Sequence, residues 1–268
     1  MNKLSTFLLV CSLAATGLAQ AGAIRDLNLF TGKTLTANDD GSTSRVNLGF
    51  AIDFFGLKTS SLFVNNNGNV TFDQAMNTFT PFGLQNTNRQ LLAPFFADVD
   101  TRNGDSGKVQ YGQNTINGRN VFGVNWFNVG YFSNKADKLN QFQLIITDRS
   151  DVFAGDFDFE FNYNQINWET GSSSASGGVN GLGGKSARVG WSNGNVKSFE
   201  LTGSAVNGAL LDNGANSLVK GSLNSNVAGR YVFNVRNGQI VPPAPVSAPG
   251  SLALLTLGVA ALLLRRRT

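Results

Sequence analysis

The densest run of ionisable side chains is Asp156-Phe157-Asp158-Phe159-Glu160-Phe161. On an extended strand, successive side chains point to opposite faces. That sends Phe157, Phe159 and Phe161 one way and Asp156, Asp158 and Glu160 the other. Three carboxylates in a row repel, so a cation, arginines from a neighbouring strand, or solvent must offset them. Calcium is one such cation. Acid–base cleavage of a glycan by Asp156 and Glu160 is another use of the row. Carboxylates about 5–5.5 Å apart suit a retaining mechanism, and about 6.5–9.5 Å an inverting one. A second acidic group is Asp98-Val99-Asp100, with Asp105 in the turn Asn103-Gly104-Asp105-Ser106-Gly107. Counted as an EF-hand loop from Asp98, it has Arg102 at position 5, Asn103 in place of the glycine at 6, and Val109 in place of the glutamate at 12. A calcium site of another kind on Asp98, Asp100 and Asp105 stays open. The alternative is a turn whose Asp side chains accept from local backbone N–H groups, with Arg102 pairing a nearby acid.

Composition removes most other chemistry. The chain has no histidine, and its one cysteine is Cys11. Triads that use His, His-ligated zinc, disulfides and thiolate nucleophiles are therefore excluded from the body of the chain. Gly184-Lys185-Ser186 imitates the end of a phosphate-binding loop, but Val179 occupies the position of the first glycine. The net charge of +4 comes from the ends. Without Lys3, Arg265, Arg266 and Arg267 the body has 17 basic and 17 acidic residues. Such a neutral body gives no basic surface for nucleic acid.

The acidic stripe is superficially similar to the Glu-x-Asp-x-Glu strand of laminarinase-type glycoside hydrolases. Asp156 stands where that family has its nucleophilic Glu, and the apolar and Trp flanks of the motif are missing. Trp126, Trp168, Trp191, Tyr131 and Tyr163 are candidates for a sugar-binding face, or else core and rim residues.

Both ends read as addresses. Residues 1–21 form a secretory signal peptide: Lys3, the apolar run Leu4 to Ala15, and the cleavage pattern Ala19-Gln20-Ala21. A cut after Ala23 also fits. At the other end, residues 239–249 are a Pro-rich spacer, followed over 250–268 by an apolar helix and Arg265-Arg266-Arg267. Counted from Val246, the apolar stretch to Leu264 is 19 residues, just enough to cross a bilayer with the arginines inside. This tail resembles the PEP-CTERM sorting signal. Val246 and Pro249 match, and Ser247-Ala248 replaces the Pro-Glu pair. The resemblance implies brief anchoring in the inner membrane, a cut by an exosortase-type membrane protease, and release outward. A plain membrane anchor is the alternative.

Between the ends, short alternating runs separated by Gly, Asn and Asp predict an all-β fold, an antiparallel β-sandwich of ten or more short strands. Asn66-Asn67-Gly68 between Leu62/Val64 and Val70/Phe72 predicts a hairpin. Expected strands include 91–97, 108–111, 120–126, 128–132, 141–147, 156–163, 187–191, 198–202 and 230–235. A short helix is expected over 207–219, and a mobile surface loop over 171–184. Residues 22–48 read as an N-terminal β segment ahead of a domain over 49–238.

Several of these runs, in order, resemble the nidogen-like (NIDO) extracellular domain: Val64 to Phe72, Ala93 to Arg102, Phe142 to Asp148, Gly155 to Gly171, and Ala187 to Trp191. The resemblance implies a non-catalytic module associated with cell–matrix adhesion, and supplies no binding residues. The expectation is a secreted or cell-surface protein with an adhesive or structural role in exopolysaccharide or biofilm. Its partners would be extracellular polysaccharide or matrix protein. No cofactor is expected beyond the calcium candidates Asp98, Asp100, Asp105, Asp156, Asp158 and Glu160.

Overall fold

A computed structural model describes residues 22–173 and 175–241. The signal peptide with Ala19 and Ala21, the sorting motif with Val246 and Pro249, the apolar run and Arg265 to Arg267 lie outside the described residues. Among the described residues, no helix is long and apolar enough to cross a membrane.

Among the described residues the fold is all-β, with fourteen strands in two antiparallel sheets. In chain order they are β1 (Lys33–Thr34), β2 (Val46–Phe54), β3 (Leu57–Asn65), β4 (Asn69–Thr71), β5 (Gln90–Phe96), β6 (Val99–Asp100), β7 (Gln110–Ile116), β8 (Arg119–Tyr131), β9 (Lys135–Asp148), β10 (Phe157–Gln165), β11 (Arg188–Asn193), β12 (Ser198–Glu200), β13 (Arg230–Arg236) and β14 (Gln239–Val241). The larger sheet runs β1-β7-β8-β9-β10-β13-β14, with β6 also on β8; the smaller runs β12-β11-β5-β4-β3-β2.

The two-residue period does what the sequence predicts. Phe157, Phe159 and Phe161 enter one core with Trp126, Phe142, Phe95 and Trp168. Trp126 stacks on Phe142 with ring centroids 5.1 Å apart. Two buried indoles are satisfied: Trp126 Nε1 donates to Asn66 O and Trp168 Nε1 to Val129 O, each at 3.0 Å. Burial of a large aromatic side chain stabilises by roughly 2–3 kcal/mol, so the many buried rings carry much of the packing.

The structure differs from the expected elements in five places. The strands expected at 120–126 and 128–132 are one strand, β8, whose pairing with β9 shifts register at Phe127/Val129; Asn128 there has φ 55. Strand β2, in a region of weak signals, contains Gly49 at φ 93, and its pairing with β3 shifts between Asn47 and Ile52. That irregularity breaks the alternation by which a strand is recognised. The helix expected over 207–219 is a chain of turns, and a Cβ at Gly214 would lie 2.2 Å from Ala209 O. The 171–184 loop is irregular but tied down: Ser172 N donates to Phe132 O, Ser176 Oγ donates to Asp98 Oδ2 at 3.1 Å, and Ser172, Ser176, Gly178 and Gly181 are buried. Within 22–48, only β1 and the start of β2 are strand. Residues 22–30 instead cross the outer face of the larger sheet, where Phe30 packs on Val121 and Ile145.

Candidate functional site

The acidic residues separate into two places. The first is the outer face of β10. Period two puts Asp158 and Glu160 there, and Asp156 immediately precedes the strand. Glu160 takes both arms of a guanidinium, from Arg25 Nε at 2.8 Å and Nη2 at 3.0 Å. Asp158 sits between Arg149 Nη1 and Arg236 Nη1, each at 2.7 Å. Asp156 is buried and accepts from Asn237 N at 2.7 Å, with Arg236 Nε 3.9 Å away. Of the three ways to offset the stripe, the fold uses arginines. Register explains two of them: Asp158 lies opposite Thr147 of β9 and Asn234 of β13, and Arg149 and Arg236 follow two residues further along. Arg25 arrives from 135 residues upstream, which no local pattern reveals.

Both carboxylates of the glycan-hydrolase reading are engaged within the chain: Asp156 is buried and accepts from Asn237 N. The oxygens of Glu160 are also held by Arg25.

The second place is a corner of the sandwich, built on Asn65-Asn66-Asn67-Gly68. Gly68 has φ 70, and a Cβ there would lie 1.8 Å from Phe95 O, so only glycine fits the turn. The Asn side chains do the pairing that the backbone cannot continue round the corner. Asn66 Nδ2 donates to Val99 O at 2.7 Å and also to Asp39 O. Asn67 Oδ1 accepts from Val99 N at 2.9 Å, and its Nδ2 donates to Asp40 Oδ1 at 2.8 Å. These amides clamp the 38–41 turn against the β5–β6 junction. They bring Asp39, Asp40 and Asp98 together, with one carboxylate oxygen of each within 4.8 Å of the others.

The expected trio of Asp98, Asp100 and Asp105 is thus divided. Only Asp98 is in the cluster. Asp100 is engaged by Arg102, through Nε to Oδ1 at 2.9 Å and Nη2 to Oδ2 at 2.6 Å, and by Asn134 N at 2.8 Å. Burial alone would raise its pKa. The hydrogen bonds from the Arg102 side chain and from the backbone N–H groups of Arg102 and Asn134 overcome this and hold it below the usual carboxylate range. Asp105 is exposed on a turn where its N–H donates to Asn103 Oδ1 at 2.9 Å. Asp39 behaves oppositely to Asp100. Burial, then the charges of Asp100 and Asp40, push it up to about 7, although Arg102 Nη2 lies 3.0 Å from its Oδ2. Asp39 and Asp40 were missed because they sit far upstream, in a segment without periodicity. Their only sequence signal is the turn Asn38-Asp39-Asp40-Gly41.

The proposed sugar-facing aromatics are mostly core. Trp126, Trp168, Tyr131 and Tyr163 are fully buried. Trp191, 8% exposed, edges a cavity of about 240 Å³ with Phe55, Phe199, Leu223 and Ile240.

The alpha-tectorin of Mus musculus is 32% identical over 229 residues, covering 76% of this chain and 10% of that protein. The human alpha-tectorin gives the same identity and coverage. The nidogen of Drosophila melanogaster is 28% identical over 168 residues, covering 53% of this chain and 12% of that protein. The chain therefore spans about a tenth of the length of these relatives. No solved structure matches. The family profile of the nidogen-like domain matches residues 60–237, which include Asn65 to Gly68, the acidic stripe and strands of both sheets, and the chain belongs to that family.

Proposed function

We propose that the protein is a non-catalytic extracellular module, adhesive or structural, working within exopolysaccharide or biofilm material. The observation that carries this reading is the nidogen-like match over 60–237, shared with alpha-tectorin and nidogen. The electrostatics support it. The carboxylates that could have served acid–base catalysis on β10 are engaged by arginines of the same chain. With 17 basic and 17 acidic residues in the body, contacts to a polysaccharide or matrix protein rest on hydrogen bonds and apolar patches rather than on long-range charge. The route is a signal peptide over 1–21, transient inner-membrane anchoring by the tail, and cleavage by an exosortase-type protease near Val246 to Pro249. Retention of the purified protein on a panel of bacterial exopolysaccharides and matrix proteins, with and without calcium, tests the binding role. No retention on any member overturns it.

A second reading is favoured by the corner: a structural surface protein stabilised by calcium at Asp39, Asp40 and Asp98. Three carboxylate oxygens supply about half of a calcium shell of six to eight oxygens, leaving the rest to carbonyls and water. A ligand bound only by the folded state raises the melting temperature by mass action. A melting curve unmoved by chelator or added calcium overturns this reading.

A further inference from the structure

Across the outer face of the larger sheet runs a row of buried polar side chains in register. Asn125 of β8 lies opposite Gln143 of β9, Gln143 opposite Asn162 of β10, and Asn162 opposite Arg230 of β13. All four are buried, three of them completely. A polar row of this kind requires partners on its open side, since a buried donor without one costs its full desolvation. Residues 22–30 supply them by lying along the row. Leu29 O accepts from Asn125 Nδ2 at 2.8 Å, and Arg25 N donates to Gln143 Oε1 at 3.1 Å. At the far end Arg230 Nη2 donates to Gly22 O at 3.1 Å and to Ala23 O at 2.8 Å, while its Nε reaches Asn162 Oδ1 at 3.3 Å. Burial lowers the pKa of Arg230, as expected where the charged form has lost water. Two of the acceptors that hold this buried cation are thus the first two carbonyls of the described chain.

The sequence allows signal cleavage after Ala21 or after Ala23, and these cuts differ physically. Gly22 is exposed, so an ammonium created there stays in water. Ala23 is 5% exposed, and a cut behind it removes both carbonyls and places a second cation beside Arg230. We propose that export processing hydrolyses the Ala21–Gly22 bond, and that Gly22 and Ala23 belong to the mature fold as the anchor of an N-terminal strap. Water adds across the bond at a membrane signal peptidase, leaving the Ala21 carboxylate on the released peptide and the Gly22 ammonium on the mature chain. The inference rests on the export reading above.

The first test is N-terminal sequencing of the protein recovered from the cells and medium of its own host. A start at Gly22 is expected. A start at Ile24 overturns the inference while export stands, and retention of Met1 overturns the export reading itself. The second test compares chains beginning at Gly22 or at Ile24, each continuing to Thr268 and purified in detergent. The Ile24 chain should melt lower by roughly 5 °C, the shift expected when a buried charged donor loses its acceptors in a domain of this size. Equal melting overturns the anchoring role. With Arg230→Leu in both chains the gap should nearly vanish, and an undiminished gap assigns the loss to something other than Arg230. The unsubstituted pair decides the matter even where Arg230→Leu fails to fold.

Discussion

The acidic stripe on β10 and the acidic corner at Asp39, Asp40, Asp98 and Asp100 hold similar charge and balance it differently. On the stripe, Glu160 has Arg25, and Asp158 has Arg149 and Arg236, with Arg236 also near Asp156. In the corner, among the described residues, Arg102 serves both Asp100 and Asp39. The stripe is closed electrostatically within the chain. The corner leaves Asp39 raised to about 7, by burial first and then by the charges of Asp100 and Asp40. A row of carboxylates in a sequence therefore says little about ligands until the cations of the fold are counted against it.

The sharpest way to break the contrast is Arg102→Ala. Removing one partner of a buried pair leaves an uncompensated charge on Asp100, whose side chain is 0% exposed. The full cost for such a pair is about 3–5 kcal/mol, and the partial exposure of Arg102 reduces it to roughly 2–3 kcal/mol. Urea denaturation measures this, and a loss under about 1 kcal/mol would mean the corner tolerates its charge unaided.

Calcium is the next lever. At a free concentration about 100 times its Kd it should add roughly 2.7 kcal/mol at pH 8. Asp98→Asn should remove most of that gain, whereas Asp158→Asn should leave it intact. A gain equally sensitive to both would relocate the ion.

Proton binding gives a smaller handle with a definite sign. Asp39 is raised from 3.8 to about 7, so the folded state holds its proton more tightly than the unfolded state. Its contribution is complete at and below the unfolded value and is lost as pH rises through about 7. The calcium-free protein should therefore melt higher near pH 5 than near pH 8, and Asp39→Asn should flatten that slope. At lower pH the order reverses. Asp100 and Asp137 are held below the usual range and Asp151 at about 2, so their contributions disappear as they protonate. A slope unchanged by Asp39→Asn would assign the effect to another group, such as Asp212, which burial also raises.

The smallest effect belongs to the stripe. Arg149→Ala should cost less than about 1 kcal/mol, because Arg236 still pairs with Asp158 and the site is partly solvated. Arg149→Ala combined with Arg236→Ala should cost clearly more than the sum of the singles. Simple additivity would mean that the two arginines do not share Asp158.

Whatever depends on neighbours along the chain was legible from the residues alone. Alternation placed Phe157, Phe159 and Phe161 in the core and Asp158 and Glu160 on the opposite face, because a strand offers two faces. The Asn-Gly turn fixed the β3–β4 hairpin, and the absence of histidine limited the chemistry. Where a bulge interrupted the period, as at Gly49 and Asn128, the strand or its continuity was not legible. Tertiary structure alone decided which charges meet. Arg25 reaches Glu160 across 135 residues, and Asp39 and Asp40 reach Asp98 through amide clamps on a glycine corner. Ion pairs have no period in sequence. They follow from sheet order, register and the path of the strap, which exist only once the apolar faces have closed on one another.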